Sequence, residues 1–131
     1  LGSHNSYICN ENIFQLQSQT ILDISHKGSC IFVGRCADYV LRNNENVLKV
    51  FLCAPLANRQ KQIAAKQQIT VDEAAKQIEQ TDKKRSVYYN FYTNKTWGQA
   101  SSYDLCINTS QIGIEKTADF IANFFRNRFG F

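Results

Sequence analysis

The sequence has no methionine and only one proline among its 131 residues. A natural translation product starts with methionine. The expectation is therefore that the sequence as given, which starts at Leu1, continues upstream and is N-terminally incomplete. No apolar stretch approaches the ~20 residues that a bilayer crossing needs, so no membrane partner is expected. No basic segment followed by an apolar one opens the sequence, so no secretory signal is expected either. The five cysteines are Cys9, Cys30, Cys36, Cys53 and Cys106, and no two stand in CxxC spacing. That argues against zinc ribbons and dithiol redox centres. Serine-hydrolase elbows, HExxH pairs, EF-hand loops and GxxxxGK[ST] phosphate loops are missing too. His4 and His26 stand in no recognisable pattern, and no metal-ligand set is expected. Fifteen basic residues against eleven acidic ones leave a net charge of +4. This mild excess suits a phosphate-bearing small ligand and is too sparse for a dedicated nucleic-acid binder.

What is present is enough apolar material, 44% of residues, for one real core. Cys30, Cys53 and Cys106 lie inside apolar runs. They read as reduced thiols acting as small core residues, which favours a cytoplasmic protein.

Residues 1–10 are polar and read as loop. From Glu11 the pattern turns helical, with Ile13, Leu16, Gln17, Thr20, Ile21 and Ile24 on one face. This helix should end near Lys27, with Gly28 available for a left-handed cap. Three short apolar runs follow the pattern of strands buried on both faces: 30–33, 47–54 and 103–107. Gly28 and Gly34 bound the first, Pro55 stops the second and Asn108 stops the third. Helical patterns fill the gaps at about 36–42, 56–68, 70–90 and 111–127. The order α-β-α-β-α-α-β-α predicts an α/β fold, a parallel sheet covered by helices. Thr70 and Glu73 fit a capping box at the start of one helix. That helix carries a charged outer face and runs into Tyr88, Tyr89, Phe91, Tyr92 and Trp97. An exposed, charged and aromatic excursion over about 70–100 reads as a lid. The aromatics themselves read more readily as packing than as base-stacking platforms.

Open parallel sheets bind ligands beyond the carboxyl ends of their strands. After the first run come Gly34, Arg35, Cys36, Ala37 and Asp38. Gly34 lets backbone approach a ligand, and the Arg35 fork matches phosphate oxygens. Asp38 can accept hydrogen bonds from an amino group or a sugar. The plainer alternative is that Arg35 pairs with Asp38 or caps a helix. Arg59 follows the second run by about one helical turn. Asp82 and Arg85 share a helix face at three-residue spacing, so they can simply pair. Three guanidiniums near sheet ends and a lid also suit phosphoryl transfer, whose developing charge needs fixed positive groups.

These segments together resemble the cytidylate kinase-like family, within the P-loop nucleoside monophosphate kinases. The pieces are Gly34–Asp38, Phe51–Leu56 with Arg59, Thr81–Tyr89, Tyr103–Ser110 and Gly113–Thr117, in that order. The resemblance runs from about Glu11 to about Ala122. It implies a three-layer α/β/α fold with a parallel sheet, in a single domain over 1–131. It also implies ATP-dependent transfer of a phosphoryl group to CMP or a related pyrimidine nucleotide, with Mg²⁺. By position, Arg35 resembles the acceptor-site arginine and Asp82 the lid aspartate that contacts the acceptor. Arg85 resembles the lid arginine on the transferring phosphates, and Arg59 the arginine that opens the lid region and faces those phosphates. Asp38 is a further candidate for acceptor binding. Cys36 departs from the family pattern, in which an acid directly follows this arginine. The family's first strand, phosphate loop and following helix have no counterpart in the sequence given. This segment alone is therefore not expected to catalyse. Apolar surface left uncovered in this way is a possible route to a homodimer. The alternative is a non-catalytic nucleotide- or protein-binding domain that keeps the kinase fold.

Overall fold

The computed structural model describes residues 11–131, so the expected loop over 1–10 lies outside the described residues. Its contacts divide into two compact units. One holds the described residues up to Val47 together with Arg85–Trp97, and the other holds Leu48–Lys84 together with Gly98–Phe131.

In the first unit, helix α1 spans Glu11–Lys27. Glu11 sits in its positive first turn, and His26 and Lys27 in its negative last turn. Ile21 is buried, whereas Ile13, Leu16 and Ile24 from the same stripe stay exposed. Gly28 has φ +149°, a region open to glycine but not the left-handed helical cap expected there.

The first expected strand, 30–33, does not form. A strand exists through its ladder, and among the described residues none pairs with this segment. Ile31 and Val33 are 92% and 90% exposed, while Phe32 between them packs on the core. The run has strand-like alternation without a partner, so burial on both faces is overturned. A single turn, α2, follows at Ala37–Val40. Ile21, Ala37 and Leu41 make the core here, with Leu22, Phe32, Val40 and Val47 packed around them.

In the second unit, β1 spans Val50–Cys53 and Pro55 stops it, standing at the N-cap of α3, Leu56–Gln67. Proline is tolerated at a helix start, where its missing N–H has no partner to lose. Helix α4 runs over Val71–Thr93, and its residues from Arg85 onward belong to the first unit. The capping box is present in both directions. The Glu73 N–H donates to Thr70 Oγ1 at 3.1 Å, and the Thr70 N–H donates to Glu73 Oε2 at 2.9 Å. A short 3₁₀ turn at Ala100–Ser102 leads into β2, Leu105–Asn108, and then α5, Ile114–Phe129.

Strands β1 and β2 pair in parallel, from Val50 opposite Leu105 to Cys53 opposite Asn108. The long crossover through α3 and α4 is what a parallel pair requires. Among the described residues the result is a mixed α/β structure with a two-stranded parallel sheet and five α-helices.

The cysteine expectation is also corrected. Cys30, Cys53 and Cys106 are exposed, and Cys36 is the buried thiol. No described helix is long and apolar enough to cross a membrane.

Candidate functional site

The segment after the unformed strand carries the most unusual backbone among the described residues. Gly34, Arg35 and Cys36 have φ of +70°, +57° and +58° in succession. Two consecutive non-glycine residues in the left-handed region cost about 1–3 kcal/mol each. The Ala37 N–H closes the turn by donating to the Gly34 carbonyl at 3.2 Å. Cys36 is driven inward, 4% exposed, while Arg35 beside it stays exposed. Burial, reinforced by Asp38 and partly offset by Arg35, pushes the Cys36 thiol up to about 12. It is a neutral packing group.

Of the plainer alternatives, pairing of Arg35 with Asp38 does not occur among the described residues. Among the described residues no carboxylate pairs with the Arg35 guanidinium. Asp38 Oδ2 instead accepts from the Tyr89 hydroxyl at 2.8 Å, and Tyr89 is buried. Among the described residues no carboxylate occupies the Arg35 fork, which suits an anionic acceptor. Arg35 lines an open cleft of about 340 Å³, whose apolar walls come from Leu16 and Ile21 of α1 and from Phe32 and Val33. A guanidinium beside apolar walls suits a ligand with an anionic end and an uncharged planar or apolar end.

This unit also holds an aromatic cluster. Phe14 stacks on Tyr92 with centroids 4.1 Å apart and planes 9° apart, and Tyr88 packs edge-on against Phe14. The Tyr88 hydroxyl donates to Gln17 Oε1 at 3.2 Å. The packing reading of this cluster holds in these contacts.

The second unit holds the other candidates. Arg59 on α3 grips Asp82 on α4 fork to fork, with Nη1–Oδ2 at 2.6 Å and Nη2–Oδ1 at 2.9 Å. Hydrogen bonding by Asp82 raises the Arg59 pKa above its already high ordinary value, with burial opposing the rise. Asp82 thus has Arg59, 23 residues away, as a fork partner. Arg85 lies one turn further along the same helix, with its side chain exposed. Arg35 and Asp38 share one unit, and Arg59 and Asp82 share the other.

The sequence did not single out Tyr89, Tyr88 or Gln17 as functional neighbours. The only available signal was that two tyrosines sit next to each other at the end of a charged helix. Among the described residues, no cluster of three or more His, Cys, Asp or Glu side chains can hold a metal ion.

Comparison with known proteins places the chain. The profile of the cytidylate kinase-like family matches residues 2–111. Cytidylate kinase from Pyrococcus horikoshii is 32% identical over 91 residues, covering 69% of this chain and 46% of that protein. Cytidylate kinase from Thermococcus kodakarensis is 32% identical over 93 residues, covering 70% and 47% respectively. The chain spans about half the length of the curated relatives it matches. A crystal structure of an uncharacterized protein from Eubacterium ventriosum matches with a TM-score of 0.85 at 27% identity. That match covers 93% of this chain and 69% of the other.

Proposed function

The chain belongs to the cytidylate kinase-like family, and on that premise we propose that the whole protein is a nucleoside monophosphate kinase of the P-loop type. It moves the γ-phosphoryl group of ATP to CMP or a related pyrimidine nucleotide. Residues 1–131 belong to a single domain of three-layer α/β/α type, with the segment about 70–100 as its lid, in a cytoplasmic protein. The observation that carries the reading is Arg35. Its guanidinium has no carboxylate partner among the described residues, is presented by a strained left-handed turn, and lines an apolar cleft.

In this reading Arg35 holds the acceptor's monophosphate, whose oxygens match its fork. Asp38, oriented by Tyr89, takes a hydrogen bond from the acceptor's sugar or amino group. An oxygen of the bound monophosphate attacks the γ-phosphorus. The bond from that phosphorus to the bridging oxygen breaks, and ADP leaves with the electron pair. Charge spreads over the transferring group, and Arg85 and Arg59 neutralise it once the lid closes and excludes water. For Arg59 this means sharing its fork between Asp82 and a phosphate. Asp82 then orients Arg59 as well as facing the acceptor. ATP and Mg²⁺ enter through the family. The described residues offer no carboxylate cluster for a divalent ion, so no step is assigned to one.

The test is ADP production by the full-length protein with ATP, Mg²⁺ and each of CMP, UMP and AMP. Arg35→Ala should raise the acceptor KM strongly. Arg85→Ala should lower kcat by about a thousandfold or more. Near-normal turnover in Arg85→Ala sinks the assignment of that residue. Acceptor-independent ATP hydrolysis alone sinks the kinase reading.

A further inference from the structure

We propose that Tyr89 is a positioning residue: it locks the Arg85 end of α4 to the turn at 34–38, so that an acceptor held at Arg35 and the Arg85 guanidinium keep one register. This inference rests on the proposed kinase reaction, in which Tyr89 acts only through other residues. All the residues concerned lie in the first unit, which takes in Arg85–Trp97 of the lid segment.

The connection is short, and each joint in it is held. The Tyr89 hydroxyl donates to Asp38 Oδ2 at 2.8 Å, across 51 residues of sequence. A bond to a carboxylate is charge-assisted and about twice as strong as a neutral one. Tyr89 is only 5% exposed, and its ring has two torsions, so its hydroxyl is well placed by packing. Its carbonyl accepts from the buried Thr93 hydroxyl at 2.7 Å. Beyond it the helix end is fastened again. The Lys95 N–H donates to Thr93 Oγ1 at 3.1 Å, and the Trp97 N–H to Asn90 Oδ1 at 2.7 Å.

On the other side of the bond, Asp38 is tied to Arg35 through the backbone of the turn. The Tyr39 and Val40 N–H groups both donate to the Cys36 carbonyl, at 3.0 and 2.9 Å. Tyr88, next to Tyr89, also senses the turn. Burial pushes its hydroxyl up, Cys36 and Tyr92 add to the rise, and Arg35 opposes it. The charge of Arg35 is therefore felt at the helix.

Arg85 stands four residues before Tyr89, on the same face of α4 and about 6 Å along its axis. Its side chain is exposed, so the reach of its guanidinium depends on where the helix is held. A helix moves as one body over a single turn, because its backbone bonds join residues four apart. A phosphate bound at Arg35 orders the turn, and Tyr89 passes that order to Arg85. Phosphoryl transfer depends mainly on positioning and charge stabilisation, and a misplacement of about 1 Å can cost about a hundredfold. One buried hydroxyl can therefore set turnover from behind the site.

The test is steady-state kinetics of the full-length protein with ATP, Mg²⁺ and whichever of CMP, UMP and AMP turns over fastest. Tyr89→Phe removes one oxygen and keeps the buried ring. It should lower kcat about tenfold and change the acceptor KM by less than about threefold. Adding it to Arg85→Ala should cost less than about twofold more, since nothing is left to position. A merely structural role would multiply the two losses. Hydrogen exchange on the wild type gives a second readout that needs no variant to fold. The acceptor, added without ATP so that Arg85 has no transferring phosphate to meet, should slow exchange over 85–93 as well as 34–38. The inference is overturned by any of three results. Tyr89→Phe melts like wild type and keeps kcat within about twofold, or its loss multiplies with that of Arg85→Ala, or the acceptor leaves exchange over 85–93 unchanged. The kinase reading fails separately, if wild type makes no ADP in response to any of the three nucleotides.

Discussion

Breaking the Arg59–Asp82 fork should loosen the tie between α3 and α4 by a measurable amount. Both contacts are short, at 2.6 and 2.9 Å, and both oxygens of the carboxylate are used. The side chains keep 31% and 26% of their exposure. Fully exposed pairs are worth about 0–1 kcal/mol. Removing one partner from a buried pair costs about 3–5 kcal/mol. This pair lies between those limits and nearer the exposed one, so a coupling of about 1–2 kcal/mol is expected. The guanidinium pKa is raised by the Asp82 hydrogen bonds. A raised folded-state value gives stability that is lost only as pH climbs through it, beyond the ordinary arginine range. Arg59 therefore stays charged at every working pH.

The assay is a double-mutant cycle with Arg59→Ala, Asp82→Ala and the double variant, read by urea denaturation. Each single change should destabilise, and the double should cost about 1–2 kcal/mol less than the sum of the two. Screening should shrink the coupling in 1 M salt, where the Debye length falls to about 3 Å. A coupling below about 0.3 kcal/mol would refute the claim that the fork ties the two helices. The same variants inform the chemistry. Asp82→Asn keeps the shape but removes the charge that holds the Arg59 fork. It should therefore lower both stability and the affinity for the acceptor nucleotide.

Cys36 should resist iodoacetamide at pH 8 while Cys30, Cys53 and Cys106 react, since Cys36 is buried and the others are exposed. Mass spectrometry of the labelled chain reads this directly. Because the Cys36 thiol is pushed from its ordinary value of 9.0 up to about 12, its contribution to stability should be complete below pH 9. That contribution should decline as pH rises between the two values, and Cys36→Ser should flatten the decline. Gly98→Ala should destabilise by about 1–3 kcal/mol in thermal melts, because Gly98 has φ +80° and an added Cβ would lie 3.1 Å from the Phe51 ring. Thr70→Ala should cost about 1 kcal/mol by removing one arm of the capping box, and Thr70→Ser should restore most of it.

Local signals were legible in the sequence where the physics is local. The capping box is two hydrogen bonds between residues three apart, so spacing alone found it. Pro55 stops β1 because its ring removes the donor that a ladder needs. The 30–33 run shows where such reading ends. Its composition fits a buried strand, but burial depends on what lies on either side, and Ile31 and Val33 meet solvent. The cysteines fail in the same way. An apolar run predicts a buried neighbour for Cys53, but a two-stranded sheet leaves that residue exposed. Cys36 is buried by a left-handed turn that no hydrophobic period encodes.

The candidate site follows the same division. Arg35 and Asp38 follow a strand-like run, and their spacing of three favours mutual pairing. The structure gives Asp38 to Tyr89, 51 residues away, which frees the Arg35 guanidinium for an anion. It also pairs Asp82 with Arg59 at a separation of 23. In both cases a carboxylate is held by a group from a distant segment. The effect on chemistry is opposite in the two cases. Near Asp38 the rearrangement leaves an arginine available, so that arginine can bind a phosphate without first breaking an ion pair. Near Asp82 it occupies one, so Arg59 reaches a phosphate only by giving up part of a bidentate contact. If both arginines serve one reaction, Arg35 should dominate ground-state binding of the acceptor. Arg59 should then act mainly where phosphate charge is greatest, in the transition state. Arg35→Ala should therefore appear chiefly in the acceptor KM, and Arg59→Ala chiefly in kcat.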